Sequence, residues 1–319
     1  MAKDIQRSLT IATSIKEVAE FKFKVGASST YLAGGTEVNR LNSLVDATDL
    51  ISIGRIPELD GILKDGDSIK IGAMSTFQDI IDSPLTPCYL KQACYFMASR
   101  TKRNMATIGG NIAIARTDSY LCPSLLACGA KLELMNEKGE VVTRCLRCYL
   151  NHKEEYQNHL ILSITVPANS IVVSKRFSNT AQSHAVLTVS LGCVTCNCCK
   201  DHQENNSGCK LDAGAHTISA TSSTPTSCKL ILAVAAKNTA LTTLDDIADA
   251  ITQARENKKE LSDNEILKMV KTNEKLDFKE DIFGSPEYKA YLLSVTIADL
   301  TKTLADANDQ ACKGIGGAK

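Results

Sequence analysis

The chain has 319 residues, with 36 Lys+Arg against 36 Asp+Glu and a formal net charge of zero. That balance gives no electrostatic footing for nucleic acid or an anionic membrane. No apolar run approaches the roughly 18 residues that a membrane span needs. The polar start, Met1-Ala-Lys-Asp-Ile-Gln-Arg7, has no signal-peptide core behind it, so a cytoplasmic protein is expected. The length suggests two or three structural units. Thirteen cysteines are many, but in a reducing compartment they do not read as a disulfide framework. Trp is absent and aromatics are 5%, so aliphatic side chains must supply the core.

In chain order, Ser14-Ile-Lys-Glu17 is a capping box that predicts a helix burying Ile15, Val18, Ala19 and Phe21. Residues 31–33 and 50–53 read as short strands, and Ile56-Pro-Glu-Leu59 as a turn. Asp65-Gly66 is a hairpin signal ahead of an alternating strand over 68–71. Thr76 caps a helix through 80, and helices are predicted over 88–98 and 125–127. Residues 131–134 and 141–142 flank the turn Lys138-Gly139. Leu160, Leu162, Ile164 and Val166 alternate up to Pro167, which ends a strand. Residues 185–194 and 230–234 are β-prone, and a polar, Cys-rich insertion over 193–228 separates them. Leu244, Ile247, Ala248 and Ile251 then have helical spacing. The capping box Ser262-Asp-Asn-Glu265 opens another helix, and Pro286 a last one with Tyr288, Tyr291, Leu292, Val295 and Leu300 inward. The composition shifts place unit boundaries at 1–60, 61–182 and 183–319.

The chain is organised around Tyr31-Leu-Ala-Gly-Gly-Thr-Glu-Val-Asn39. Gly34 and Gly35 lack Cβ, so they admit positive φ and a close approach to the backbone. Successive N–H groups in such a turn can point into one concavity that suits phosphate. Thr36 and Asn39 add donors without charge. Thr107-Ile-Gly-Gly-Asn111 has the same character. Two such turns can cradle the two phosphates of one pyrophosphate. The motifs Gly-x-Gly-x-x-Gly, Walker A, His-Glu-x-x-His and Gly-x-Ser-x-Gly are all missing. The histidines are scattered and no acid–base pair stands out. Cys193, Cys196, Cys198, Cys199 and Cys209, with Cys228 and His202 nearby, are candidate ligands for an iron–sulfur cluster or zinc. Cys122, Cys128, Cys145 and Cys148 form a second group, and reduced, unliganded thiols are the alternative for both.

Ala33-Gly-Gly-Thr-Glu-Val38 and Ala106-Thr-Ile-Gly-Gly-Asn-Ile-Ala113 closely resemble the paired motifs of the flavin-binding subunits of molybdenum hydroxylases. That family includes the medium subunits of xanthine dehydrogenase and carbon monoxide dehydrogenase. The stretches beginning at Ile51, Ile71, Ala98, Leu162 and Gly284 resemble it too, and the likeness covers most of residues 5–305. The resemblance implies an α+β fold: a p-cresol methylhydroxylase-type FAD-binding unit of two α/β subdomains, plus a C-terminal domain with a small antiparallel sheet and helices. It implies that Leu32, Ala33, Gly34, Gly35, Thr36, Glu37, Val38 and Asn39 hold the FAD pyrophosphate. Thr107, Gly109, Gly110 and Asn111 would contact phosphate and ribityl oxygens from the other side. Ile161 or Leu162 would pack near the isoalloxazine. Lys175 or Arg176 matches a basic position near the flavin ring, where a fixed cation favours the reduced form.

Three departures stand out. Tyr120 occupies a position where many relatives have Asp, so Asp118 is expected to take over the flavin contact. Ser178-Asn-Thr-Ala-Gln replaces an Arg-rich segment, and the Cys-rich insertion is additional. The resemblance implies an electron-transfer subunit of a heterotrimer, with no catalytic residue of its own. Its partners would be a molybdopterin-binding large subunit and a [2Fe–2S] ferredoxin-like small subunit, with NAD or another acceptor taking the electrons. Two other readings remain open at this point: a stand-alone flavin reductase of the same fold, and a Cys-rich metal-binding module without flavin.

Overall fold

The computed structural model describes residues 7–40, 43, 45–181, 183–194 and 229–315, with side chains described to residue 307 except that of residue 27. The described residues form three sheets and three hydrophobic clusters, with Met135 and Leu160 of the second sheet in the first unit's cluster and Val172 and Ala233 of the third sheet in the second unit's.

The first unit is a small parallel sheet. Strand β1 (Ser8–Ile11) leads through helix α1 (Ile15–Val25) to β2 (Ser29–Leu32), and β3 (Asp49–Ser52) lies between the two strands. Ser14 caps α1 by accepting from the Glu17 N–H at 3.3 Å. The returning bond is shifted by one residue, since Glu17 accepts from the N–H of Thr13 at 2.7 Å. Phe21 is only partly buried, and Lys22 takes the inner position instead, 1% exposed. Its ammonium donates to the carbonyl and hydroxyl of Ser29 at 2.7 and 3.0 Å and lies 5.4 Å from the Tyr31 ring centre. A buried lysine persists only with such partners. These contacts tie α1 to β2, the strand that feeds the first diglycine turn.

The second unit is an antiparallel sheet: β4 (Ile62–Asp65), β5 (Ser68–Gly72), β6 (Lys131–Met135), β7 (Val141–Cys145) and β8 (Leu160–Pro167), in the order β4-β5-β8-β6-β7. Its helices are α2 (Phe77–Asp82), α3 (Cys88–Tyr95), α4 (Arg100–Arg103), α5 (Ile108–Ile114), α6 (Cys122–Ala127) and α7 (Leu146–Asn151). The hairpin at Gly66 forms as expected, with that glycine at φ 58°. Thr76 caps α2 in a full capping box with Asp79.

The third unit is a four-stranded antiparallel sheet, β9 (Ile171–Phe177), β10 (Leu187–Val194), β11 (Lys229–Ala236) and β12 (Ala240–Thr243), backed by α8 (Asp245–Glu256), α9 (Asp263–Thr272) and α10 (Pro286–Ile315). The change of sheet falls between Pro167 and Ile171. The inner face of α10 differs from expectation. Ala290, Leu293, Ile297, Leu300 and Leu304 are buried, whereas Tyr288, Tyr291 and Val295 are exposed. The helix carries two apolar stripes at helical spacing, and only packing on the sheet selects one.

One face of this sheet packs on α6 through small residues. Ser124, Ser174 and Ser190 form a buried cluster of hydroxyls 2.7 to 3.2 Å apart. A Cβ on Gly192 would lie 2.2 Å from the Ala127 carbonyl. Gly192→Val should therefore lower stability by about 2–4 kcal/mol. Urea unfolding monitored by circular dichroism checks this, and a midpoint equal to wild type would refute the contact.

Candidate functional site

The two diglycine turns, some seventy residues apart in sequence, meet in space. A Cβ on Gly34 would lie 1.6 Å from the Met105 carbonyl oxygen, so only glycine permits the two backbones to touch. Gly35 sits at φ 70°, and a Cβ there would lie 2.8 Å from Asn39 Nδ2. Gly110 faces the first turn, its Cβ position 4.0 Å from that of Ala33. Gly109 instead packs on Ala73, whose carbonyl accepts its N–H at 2.9 Å.

The turns differ in what they offer a ligand. The N–H groups of Ile108, Gly109, Gly110 and Asn111 donate to Ser75 O, Ala73 O, Thr107 Oγ1 and Thr107 O. Thr107, expected to bind phosphate, is 4% exposed and caps α5. In contrast, the backbone N–H groups of residues 34–38 donate to no acceptor among the described residues. They flank a glycine with positive φ, a feature of anion-binding nests. Thr36 and Asn39 are exposed beside them. The first turn thus offers donors, and the second offers space and the Asn111 side chain. Asn111 Oδ1 accepts from Ser119 Oγ at 2.9 Å, which leaves its NH2 group to other partners.

Glu37 and Asp118 are bridged by Arg116, a residue that the sequence reading did not single out. Arg116 donates to Glu37 Oε1 at 2.9 Å and, through Nε and Nη2, to both oxygens of Asp118 at 2.7 and 3.0 Å. His184 Nδ1 lies 3.3 Å from the same carboxylate. Burial alone would raise the Asp118 carboxyl. Hydrogen bonds from His184 and Arg116, with the Arg116 charge, outweigh it and hold the group well below the usual carboxylate range. Both Asp118 oxygens are engaged and the residue is 4% exposed.

Register gives the two residues of each remaining pair different surroundings. The β6–β8 ladder pairs Glu133 with Ser163 but Leu134 with Ile161, leaving Leu162 as a bulge. Ile161 packs in the core of the second unit. Leu162 packs against the first unit's cluster, which includes Ile51, Ile53 and Leu59, as do Tyr31, Ala33 and Met74. Lys175 and Arg176 are adjacent on β9 and so face opposite sides. Lys175 pairs with Asp299 of α10, whereas Arg176 lies 5.1 Å from the Tyr120 ring centre.

The cysteines divide into separate settings. Cys122 and Cys128 are buried at α6, and burial pushes each thiol up to about 11. Cys145 Sγ lies 2.7 Å from Cys148 Sγ at the start of α7. Cys193 is near the end of β10 and partly buried. Cys196, Cys198, Cys199 and Cys209 lie outside the described residues. Among the described residues, no group of three or more His, Cys, Asp or Glu is placed to hold a metal ion.

Two outcomes test this geometry. Gly34→Ala should reduce flavin retention on the order of tenfold or more, while Gly54→Ala, whose Cβ would meet nothing within 4 Å, should match wild type. Absorbance of the purified proteins reads this out, and equal flavin in both variants would contradict the packing. Asp118→Asn should cost about 1–3 kcal/mol at neutral pH. A folded carboxyl below its unfolded value of about 3.9 stabilises fully above that pH and loses the effect as pH falls further. The stability gap between wild type and variant should therefore narrow below about pH 4 in pH-dependent urea titrations; a gap that stays constant would refute the assignment.

The family model for the FAD binding domain in molybdopterin dehydrogenase matches residues 4–169, just over half of the chain. The protein YgfM of Escherichia coli K12 is 34% identical over 135 residues, covering 42% of this chain and 52% of YgfM. The carbon monoxide dehydrogenase medium chain of Hydrogenophaga pseudoflava is 31% identical over 164 residues, covering 49% and 56%. The chain thus spans about half the length of these curated relatives. A chain of quinoline 2-oxidoreductase from Pseudomonas putida 86 superposes with a TM-score of 0.70 at 15% identity, over 94% of this chain and 97% of that one, which shows a shared fold. With the matched region containing both diglycine turns and the sheets that bring them together, the chain belongs to the family of FAD-binding domains of molybdopterin dehydrogenases, a class of oxidoreductases.

Proposed function

We propose that this chain is the FAD-binding electron-transfer subunit of a multi-subunit molybdenum hydroxylase of xanthine dehydrogenase or carbon monoxide dehydrogenase type. The observation that carries the reading is the set of N–H groups at residues 34–38 that donate to no acceptor among the described residues, held against the second diglycine turn by the Gly34–Met105 contact. Such a site fits a diphosphate. Residues 32–39 would bind it, with Gly110 giving room and Asn111 a side-chain donor. Thr107 and Gly109 would act by shaping the turn, and Asp118 by holding Arg116 and Glu37 beside it. Leu162 and Arg176, rather than Ile161 and Lys175, would stand near the flavin.

Bound FAD would supply the redox centre that links iron–sulfur clusters of a [2Fe–2S] ferredoxin-like small subunit to NAD or another acceptor. Substrate would be oxidised in a molybdopterin-binding large subunit. The residues of this chain bind and orient the cofactor, and none is assigned a proton-transfer role. The amides of residues 34–38, which donate to no acceptor among the described residues, suit an anion. A heterotrimer in the cytoplasm is the setting this reading implies.

The chain, purified and then denatured, should release FAD in about a one-to-one ratio, read by chromatography of the supernatant. Co-expressed with its two partners, it should co-elute with a molybdenum-containing chain. A colourless protein that binds no added FAD would defeat the cofactor assignment. A flavin-loaded chain that never joins a molybdenum-containing complex would defeat the subunit assignment alone.

A further inference from the structure

Tyr120 stands where the second and third units meet. Its ring is 8% exposed and lies between two groups of the third unit. The Arg176 guanidinium is 5.1 Å from the ring centre. The His184 imidazole stacks 6.4 Å away at an interplanar angle of 14°. His184 is itself tied to Asp118, and Arg176 also donates to the Ser183 carbonyl. Ser119, the neighbour of Tyr120, bonds Asn111 of the second diglycine turn. The stack is therefore continuous with the cofactor site.

Arg176 Nε is buried and has no hydrogen-bond partner among the described residues. A guanidinium N–H left without an acceptor is costly. Guanidinium stays charged at all working pH values, so the protein controls this cation through its position alone. An aromatic face and a second ring behind it form such a support.

We propose that Tyr120 and His184 are positioning residues for Arg176: the stack holds the guanidinium beside the flavin end of the FAD site, where its charge raises the flavin reduction potential. The inference rests on the FAD reading given above. That reading sets Leu162 and Arg176 near the flavin. A cation there stabilises the negative charge added on reduction.

The test uses the full chain loaded with FAD and measures two quantities, flavin content and midpoint potential by dye-equilibrated titration. Arg176→Gln and Tyr120→Leu should both shift the potential to more negative values at unchanged flavin content. At the wild-type midpoint, Tyr120→Leu should hold roughly five- to tenfold less reduced flavin relative to oxidised. Tyr120→Phe keeps the ring but loses the hydroxyl, which also neighbours Arg176, and should shift the potential by less than Tyr120→Leu. Tyr120→Leu in the Arg176→Gln background should add nothing. Should Tyr120→Leu fail to fold, His184→Asn removes the outer ring and should move the potential in the same direction by less. The proposal is overturned if these FAD-loaded variants keep the wild-type potential, or if Tyr120→Leu acts equally with and without Arg176. A wild-type chain that takes up no FAD overturns the underlying reading instead, and this inference with it.

Discussion

The contact between Gly34 and the Met105 carbonyl is the constraint on which the rest depends. Hard-sphere repulsion forbids any Cβ at that point, so two backbone segments from different sheets can share one wall. Around it, the parallel sheet of the first unit and the antiparallel sheet of the second must keep their relative placement. Buried Lys22 serves that end from one side, by fixing α1 to β2. The Leu162 bulge serves it from the other, by turning an apolar side chain of β8 toward the first unit.

Charge supplies a second link between the units. Arg40, Glu37, Arg116, Asp118 and His184 form a run in which acid and base alternate. Each carboxylate in it faces a cation, and Arg116 offers Asp118 the two-pronged geometry that makes such pairs strong. A buried carboxylate without those donors would be destabilising. The run begins in the first turn, passes the segment after the second, and ends in the connection between β9 and β10. It therefore couples the first turn to the third unit without contact between their cores.

The third unit joins the second through small residues. Ser124, Ser174, Ser190 and Gly192 let α6 approach the four-stranded sheet closely, and the hydroxyls satisfy one another. That close approach places Arg176 on the face of β9 that reaches Tyr120. Arg147 of α7 and Asp245 at the start of α8 add a paired ion bridge across the same boundary.

Much of this was legible in the residues alone. The N-cap at Ser14, the capping box at Ser262 and the hairpins at Gly66 and Gly139 are set by interactions within a few residues, so their signals are local. Strand β1 gave no such signal, because it is a four-residue edge strand with Leu9 and Ile11 exposed. Arg116 and His184 carry no motif, and their importance comes from facing Asp118 in space. Neighbouring residues such as Ile161 and Leu162, or Lys175 and Arg176, share the same chemistry in one dimension. The sequence by itself therefore determined the turns, the caps and the family likeness. The tertiary structure alone decided which cluster or partner each residue of these pairs packs against, which turn's amides find acceptors among the described residues, and where one sheet gives way to the next. Side-chain facing follows strand register and the position of a bulge, and both are set by partners far away along the chain.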